Sequence, residues 1–271
     1  SVRRERKKPP SSSLNNLHPM EKQRMNADRG VVRLKMIYNN TGSWPGLQAA
    51  WGLSVWVASL EGNLLFDTGG DAAILRDNMH SLGLDPGSLI KLFLSHDHWD
   101  HRNGLEWLLE ETGHAAEVIV PAEVKEKYGI DYPAALIRGV ADPEEILPGI
   151  WTTGSFSTTY KDAPLHEQAL VIIRGDSLWL LNGCSHPGVI PMVRHVKKSF
   201  PGKRIALVAG GFHLTGQTAD EVRIISDLFR QEGVEHIAPS HCTGDEAISL
   251  FRKEWGASIT CFNLGDERVL S

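Results

Sequence analysis

From residue 31 onward the hydrophobic pattern alternates between short strand-like runs and segments with helical spacing, at intervals typical of α/β proteins. Val32–Tyr38, Leu53–Leu60 and Asn63–Phe66 read as strands, and Glu61-Gly62-Asn63 supplies a hairpin turn between the last two. A helix is predicted over Ala72–Leu82 and stopped by Gly83, followed by a strand over Leu89–Leu94, a short helix over Leu105–Glu111 and a strand over Ala116–Val120. The stretch 130–165 carries Pro133, Pro143, Pro148 and Pro164, so it is expected to be irregular and to form the rim of a site. Ala169–Ile173 and Leu178–Leu181 form a second hairpin through Gly175-Asp176, with a helix near Pro191–Ser199 behind it. A strand at Arg204–Val208, a helix at Asp220–Gln231, a strand at Val234–Ala238, a helix at Asp245–Lys253 and a strand at Ser258–Phe262 complete the pattern. Strands then helices, twice over, fit two sheets packed face to face with helices outside.

Composition narrows the class. Hydrophobic residues make up 41% of the 271 positions and charged residues 23%, enough for a full core, and no apolar run approaches the roughly 18 residues of a membrane span. No membrane partner is expected. Three cysteines, Cys184, Cys242 and Cys261, cannot build a disulfide framework and fit a reducing, cytoplasmic compartment. Residues 1–30 hold eight Lys/Arg against three acids, leaving 20 basic and 30 acidic residues in the remainder. An acidic body disfavours nucleic acid bound across a basic face, which points to a small-molecule substrate. Residues 1–30 read as a disordered basic tail or a cloning remnant, and 31–271 as one domain.

The candidate chemistry is concentrated in Ser95-His96-Asp97-His98-Trp99-Asp100-His101, just past a short apolar strand. Ligand-type side chains packed into one turn can point in different directions. His96 and His98 can converge on one ion while Asp100 and His101 face a second, and imidazole with carboxylate suits zinc, manganese or iron.

This segment resembles the hallmark His-x-His-x-Asp-His of the metallo-β-lactamase superfamily. The resemblance implies an α/β fold of the four-layered αββα sandwich type and two divalent transition-metal ions, zinc first among them. Leu65-Phe66-Asp67-Thr68-Gly69-Gly70 is similar to the superfamily's first motif, whose aspartate supports the metal loop from behind. Gly183-Cys184-Ser185-His186-Pro187-Gly188, Gly210-Gly211-Phe212-His213-Leu214 and Ser240-His241-Cys242-Thr243-Gly244 resemble a narrower branch, the 7,8-dihydropterin-6-yl-methyl-4-(β-D-ribofuranosyl)aminobenzene-5′-phosphate synthase-like proteins.

On that resemblance His96, His98 and His186 are expected to hold one metal, and Asp100, His101 and His241 the other. Asp67, Asp100 and His213 are expected to serve catalysis and His213 also to contact substrate. Trp99 is expected to contact substrate because it stands between two ligand positions, and Arg102, where the chain departs from the branch, to hold a substrate phosphate or carboxylate or else to form an exposed salt bridge. Cys184 stands where many members carry a bridging aspartate, so it is a possible additional ligand, with a buried inert thiol as the alternative. Hydrolysis by a metal-bound hydroxide is the default chemistry of such a pair. The branch implies an alternative, a transferase condensing a dihydropterin diphosphate with an aminobenzene ribofuranosyl phosphate. Diiron oxygen or nitric-oxide reductases of this fold carry a glutamate where this chain has His98 and append a flavin domain, and are disfavoured.

Overall fold

The structure, a computed structural model, describes residues 30–271, so the expected basic tail lies outside the described residues except for Gly30. Seven strands make the first sheet: β1 (Val32–Asn39), β2 (Leu53–Ser59), β3 (Gly62–Phe66), β4 (Leu89–Phe93), β5 (Glu117–Pro121), β6 (Leu136–Val140) and, from the far end of the chain, β15 (Glu267–Leu270). Six make the second: β7 (Glu144–Leu147), β8 (Ile150–Thr152), β11 (Leu170–Arg174), β12 (Ser177–Asn182), β13 (Arg204–Gly211) and β14 (Ile237–Ser240). A separate hairpin, β9 (Phe156–Tyr160) with β10 (Ala163–Glu167), stands apart from both.

Side-chain alternation along these strands dictates the layering, because successive residues point to opposite faces. On β2 and β3, Leu53, Val55, Val57, Leu64 and Phe66 turn inward, and on the second sheet Leu170, Ile172, Leu181, Leu207 and Ala209 meet them in one cluster between the sheets. The intervening Trp56 and Leu65 face outward, where they pack under α1 (Ala72–Ser81), the one-turn α2 (Trp99–Arg102), α3 (Leu105–Glu111) and α4 (Lys125–Asp131), with Leu75, Met79, Leu108 and Tyr128 contributed by the longer ones. The outward residues Val171, Leu180 and Val208 are covered by α5 (Val189–Ser199), α6 (Ala219–Gln231) and α7 (Asp245–Trp255). The result is the α/β four-layered αββα sandwich that the resemblance implies.

The observed elements correct the pattern reading at two places. The stretch 130–165 is not irregular: it contains strands β6 to β10. Its prolines sit where they do no harm, Pro133 and Pro143 outside the strands, Pro148 in the β7–β8 turn and Pro164 on the two-stranded hairpin. Ser258–Phe262 is not a strand either, making only a single bridge from Ile259 to Ile237, and the true last strand is β15, antiparallel to β1. Among the described residues no helix is long and apolar enough to cross a membrane.

Strand direction positions the chemistry. β3 and β4 run parallel, as do β12, β13 and β14, so Asp67, Ser95, Gly183, Phe212 and His241 all follow the carboxyl ends of neighbouring strands. Loops leaving both sheets at this edge converge on one spot, the usual place for a site in α/β architecture.

Candidate metal centre

His96 and His98 project from the loop after β4, while Asp100 and His101 lie on the single turn of α2 that ends the loop. This short helix separates the four side chains into two pairs. His96, His98 and His186 bring three ligating atoms within 4.8 Å of one another, and Asp100, His101 and His241 bring a second three within the same limit. The rings of His96 and His101, one from each set, are 4.2 Å apart between centroids.

In four of the five histidines the other ring nitrogen is fixed by a partner, which orients the ligating one. Ser95 Oγ lies 2.9 Å from Nδ1 of His96, Asp67 Oδ2 lies 2.7 Å from Nδ1 of His101, Glu167 Oε2 lies 2.9 Å from Nδ1 of His186, and Asn40 Oδ1 lies 2.7 Å from Nδ1 of His241. His96 is thereby left with Nε2, which lies 3.1 Å from Nδ1 of His98. Nε2 of His241 is buried without a hydrogen-bond partner. A buried, oriented, unpartnered imidazole nitrogen opposite the Asp100 carboxylate fits a cation, so the residues present suit a divalent metal.

The electrostatics differ between the two sets. Burial and the surrounding histidines push the His96 imidazole well below its ordinary range, and burial with His186 beside it pushes His98 down to about 4, so both are neutral at pH 7. Burial opposes a charge on His101, but Asp67 and Asp100 outweigh it and raise the ring to about 9. Burial also opposes ionisation of Asp100, yet His241 and His101 hold its carboxyl well below the usual range.

Asp67 lies where the sequence places it, behind the loop. It accepts from Ser95 N and Ser95 Oγ, both at 2.7 Å, as well as facing His101. Cys184 is buried, with Sγ 3.2 Å from Nε2 of His101 and within 4.8 Å of the ligating atoms of both His96 and His101. The thiol therefore stands between the two sets, and burial pushes its pKa up. His213 groups with Cys184 and Cys242, its ring 4.4 Å from that of His186.

Arg102 and Trp99, the expected substrate contacts on the loop, have these surroundings. The guanidinium of Arg102 pairs with Asp97 at 2.8 Å, and the same carboxylate takes Lys127 and accepts from the buried Tyr128 hydroxyl. Trp99 is 53% exposed and lies over Gly70, where an added Cβ would come within 2.6 Å of its ring. The aromatic residues against the ligands are Trp51, whose Nε1 donates to Asp100 Oδ2 at 2.8 Å, and Tyr160, whose ring packs on His98, His186 and His213. His166 pairs with Ser157 on the β9–β10 hairpin and joins neither set.

Sequence reasoning passed over Glu167, Asn40, Trp51 and Tyr160. Glu167 was the most findable: a fully buried carboxylate beside Gln168 at a strand end, it accepts the amides of Cys184, Ser185 and His186 at 2.7–2.9 Å. Asn40, Trp51 and Tyr160 carry no local signal, since their partners lie far away in the chain.

Residues 52–198, over half of the chain, match the Metallo-beta-lactamase superfamily. The chain belongs to this superfamily. Within it, the chain is 26% identical over 258 residues to the 7,8-dihydropterin-6-methyl-4-(beta-D-ribofuranosyl)-aminobenzene-5'-phosphate synthase of Methanocaldococcus jannaschii, covering 80% of this chain and 87% of that protein. The solved structure of Tm1679, a metal-dependent hydrolase of the beta-lactamase superfamily, superposes with a TM-score of 0.73 at 26% identity, covering 89% of this chain and 99% of the other. The metallo-beta-lactamase fold protein YhfI from Bacillus subtilis shares the fold at 15% identity, with a TM-score of 0.62, 89% of this chain and 100% of the other being covered.

Proposed function

We propose that the protein is a metal-dependent hydrolase acting on a phosphate-containing or pterin-like small molecule at a binuclear centre. The observation that carries this reading is the pair of three-residue ligand sets, His96/His98/His186 and Asp100/His101/His241, joined through one loop. The similarity to a metal-dependent hydrolase of the superfamily supports it.

Two divalent ions, zinc best matching three imidazoles in one set and two with a carboxylate in the other, would supply a water ionised near neutral pH and Lewis-acid stabilisation of a phosphoryl or carbonyl oxygen. The chain's own residues do the rest. Asp67 and Glu167 hold His101 and His186 in the tautomer that leaves Nε2 free. Trp51 fixes the Asp100 carboxylate by its indole N–H. Tyr160 lies across three histidine rings and shields that side of the site from bulk water. His213, beside His186, would hydrogen-bond a substrate group. The substrate is a small molecule, not nucleic acid, and the compartment is cytoplasmic.

The synthase name of the methanogen relative favours a second reading, a transferase. The amine nitrogen or an aryl carbon of the aminobenzene would bond to the exocyclic methylene of a dihydropterin, pyrophosphate would leave with the electron pair of the broken C–O bond, and the proton displaced from that nitrogen or carbon would pass to solvent. One experiment tests both. The purified protein is assayed for metal by elemental analysis and supplied with a dihydropterin diphosphate, with and without the aminobenzene acceptor. Phosphate release independent of acceptor supports hydrolysis, and acceptor-dependent condensation supports transfer. A protein with full turnover after exhaustive chelation overturns the metal-dependent reading.

A further inference from the structure

A pocket of about 500 Å³ opens beside the first ligand set, with His186 and His213 at one end. Its walls are Val189, Ile190 and Pro191 from α5 and Ile224, Ile225 and Leu228 from α6. The volume lies inside the range of about 300–1,000 Å³ usual for small-molecule sites.

The α6 wall is an apolar stripe of its own. Val222 and Phe229 turn into the core, whereas Glu221, Ile224, Ile225 and Leu228, at spacings of three and four, share the face toward the pocket. Ile224 is 59% exposed there. An aliphatic row left open beside a candidate active site is a surface for a ligand to cover.

Charge tells which part of a ligand belongs in it. No Lys or Arg lines the pocket. Its one carboxylate, Glu221, is occupied with Thr218 N at 2.8 Å and Thr218 Oγ1 at 2.7 Å in the helix cap. An anion would find no counter-charge among these walls, while an uncharged ring would gain apolar burial.

The geometry points to this pocket as the specificity pocket of the enzyme: it takes the uncharged, aromatic or aliphatic body of a substrate whose phosphorylated end lies at the histidine cluster. The assignment rests on the proposed phosphate-directed function.

The test uses metal-loaded, full-length protein and three probes: methylphosphonate, 1-naphthylphosphonate and neutral 1-naphthol. Binding of the phosphonates is measured by calorimetry, and binding of 1-naphthol by chemical-shift changes of amides on α5 and α6. The wild type is expected to favour naphthyl over methyl by tenfold or more, on the order of the gain from burying an aryl group. Ile224→Gln, at an exposed position, and Ile224→Trp, which fills the space, should each remove most of that preference and leave methylphosphonate affinity unchanged. Val269→Asp, an exposed apolar position on the last strand, should change neither value.

A wild type with no naphthyl preference, or a preference intact in both Ile224 variants, overturns the pocket assignment, provided methylphosphonate binding still depends on metal. Methylphosphonate binding that ignores chelation overturns the phosphate-directed function instead, and 1-naphthol shifts on α5 and α6 then report on the pocket alone.

Discussion

Glu167 grips His186 twice, Oε2 accepting from its backbone amide at 2.7 Å and from its ring Nδ1 at 2.9 Å. Burial alone would push this carboxyl up, but the His186 ring and the amides of His186 and Cys184 hold it below the usual carboxylate range. The loop after β12 is thus built around an ionised glutamate.

Glu167→Gln keeps the size and loses the charge, and its amide cannot accept the same four hydrogen bonds. Metal affinity at the set containing His186 should fall by roughly 10–100-fold, the scale for partners behind a ligand. Competitive chelator titration checks this, and wild-type affinity in the variant would show that backbone bonding alone positions His186.

Asp67→Asn addresses the other set. The variant should lose metal affinity at the set containing His101 by about the same 10–100-fold and keep the fold, as read by circular dichroism. Unchanged metal content and activity would reduce Asp67 to a strand-end residue that caps Ser95.

Removing the candidate ligands directly should be more severe. His96→Ala with His98→Ala is expected to abolish at least one bound metal and to reduce turnover by orders of magnitude. Elemental analysis of the dialysed double variant is the measurement, and full metal content would sink the assignment.

The metal-free protein should carry a pH signature. His101 titrates near 6.5 when unfolded and at about 9 in the fold, where Asp67 and Asp100 overcome the cost of burial. A raised folded value means the contribution to stability is complete below pH 6.5 and is lost as pH climbs to about 9. Thermal melts of chelator-treated protein across that interval should fall, and those of chelator-treated Asp67→Asn should fall less. Equal slopes would place the proton elsewhere.

Gly183 offers a steric test. A methyl group there would collide with Ser95 Oγ and approach Asp67 Oδ2 to 3.2 Å, at the joint between the loop of one sheet and the loop of the other. Gly183→Ala should destabilise by about 1–3 kcal/mol, as overpacking does, and weaken metal binding along with it. Chemical denaturation with and without metal separates the two effects.

How much of this was legible in the sequence depended on chain distance. Strands such as β2, β3 and β11 announce themselves, because a buried two-faced strand writes a continuous apolar run. The His96–His101 segment was legible for a related reason: its ligands lie within one turn. β6 to β10 were hidden because they are three to five residues long and partly exposed, with prolines between them. β15 was hidden because adjacent Glu267 and Arg268 leave it no apolar run, and only its pairing with β1 across the whole chain makes it a strand. The partners of the ligands followed the same rule. Asp67 belongs to a motif, whereas the bond from Asn40 to His241 spans 201 residues and leaves no local trace.

The shared loop has one more consequence. His96 and His98 serve one set and Asp100 and His101 the other, with only Trp99 between them, and Asp67 ties Ser95 to His101 across the same turn. An ion captured at either set stiffens the backbone that the other needs, so the second capture costs less ordering entropy than the first. Under scarce metal the population should divide into empty and doubly filled molecules, with few holding one ion. Native mass spectrometry of half-loaded protein would then show two peaks where independent sites would give three.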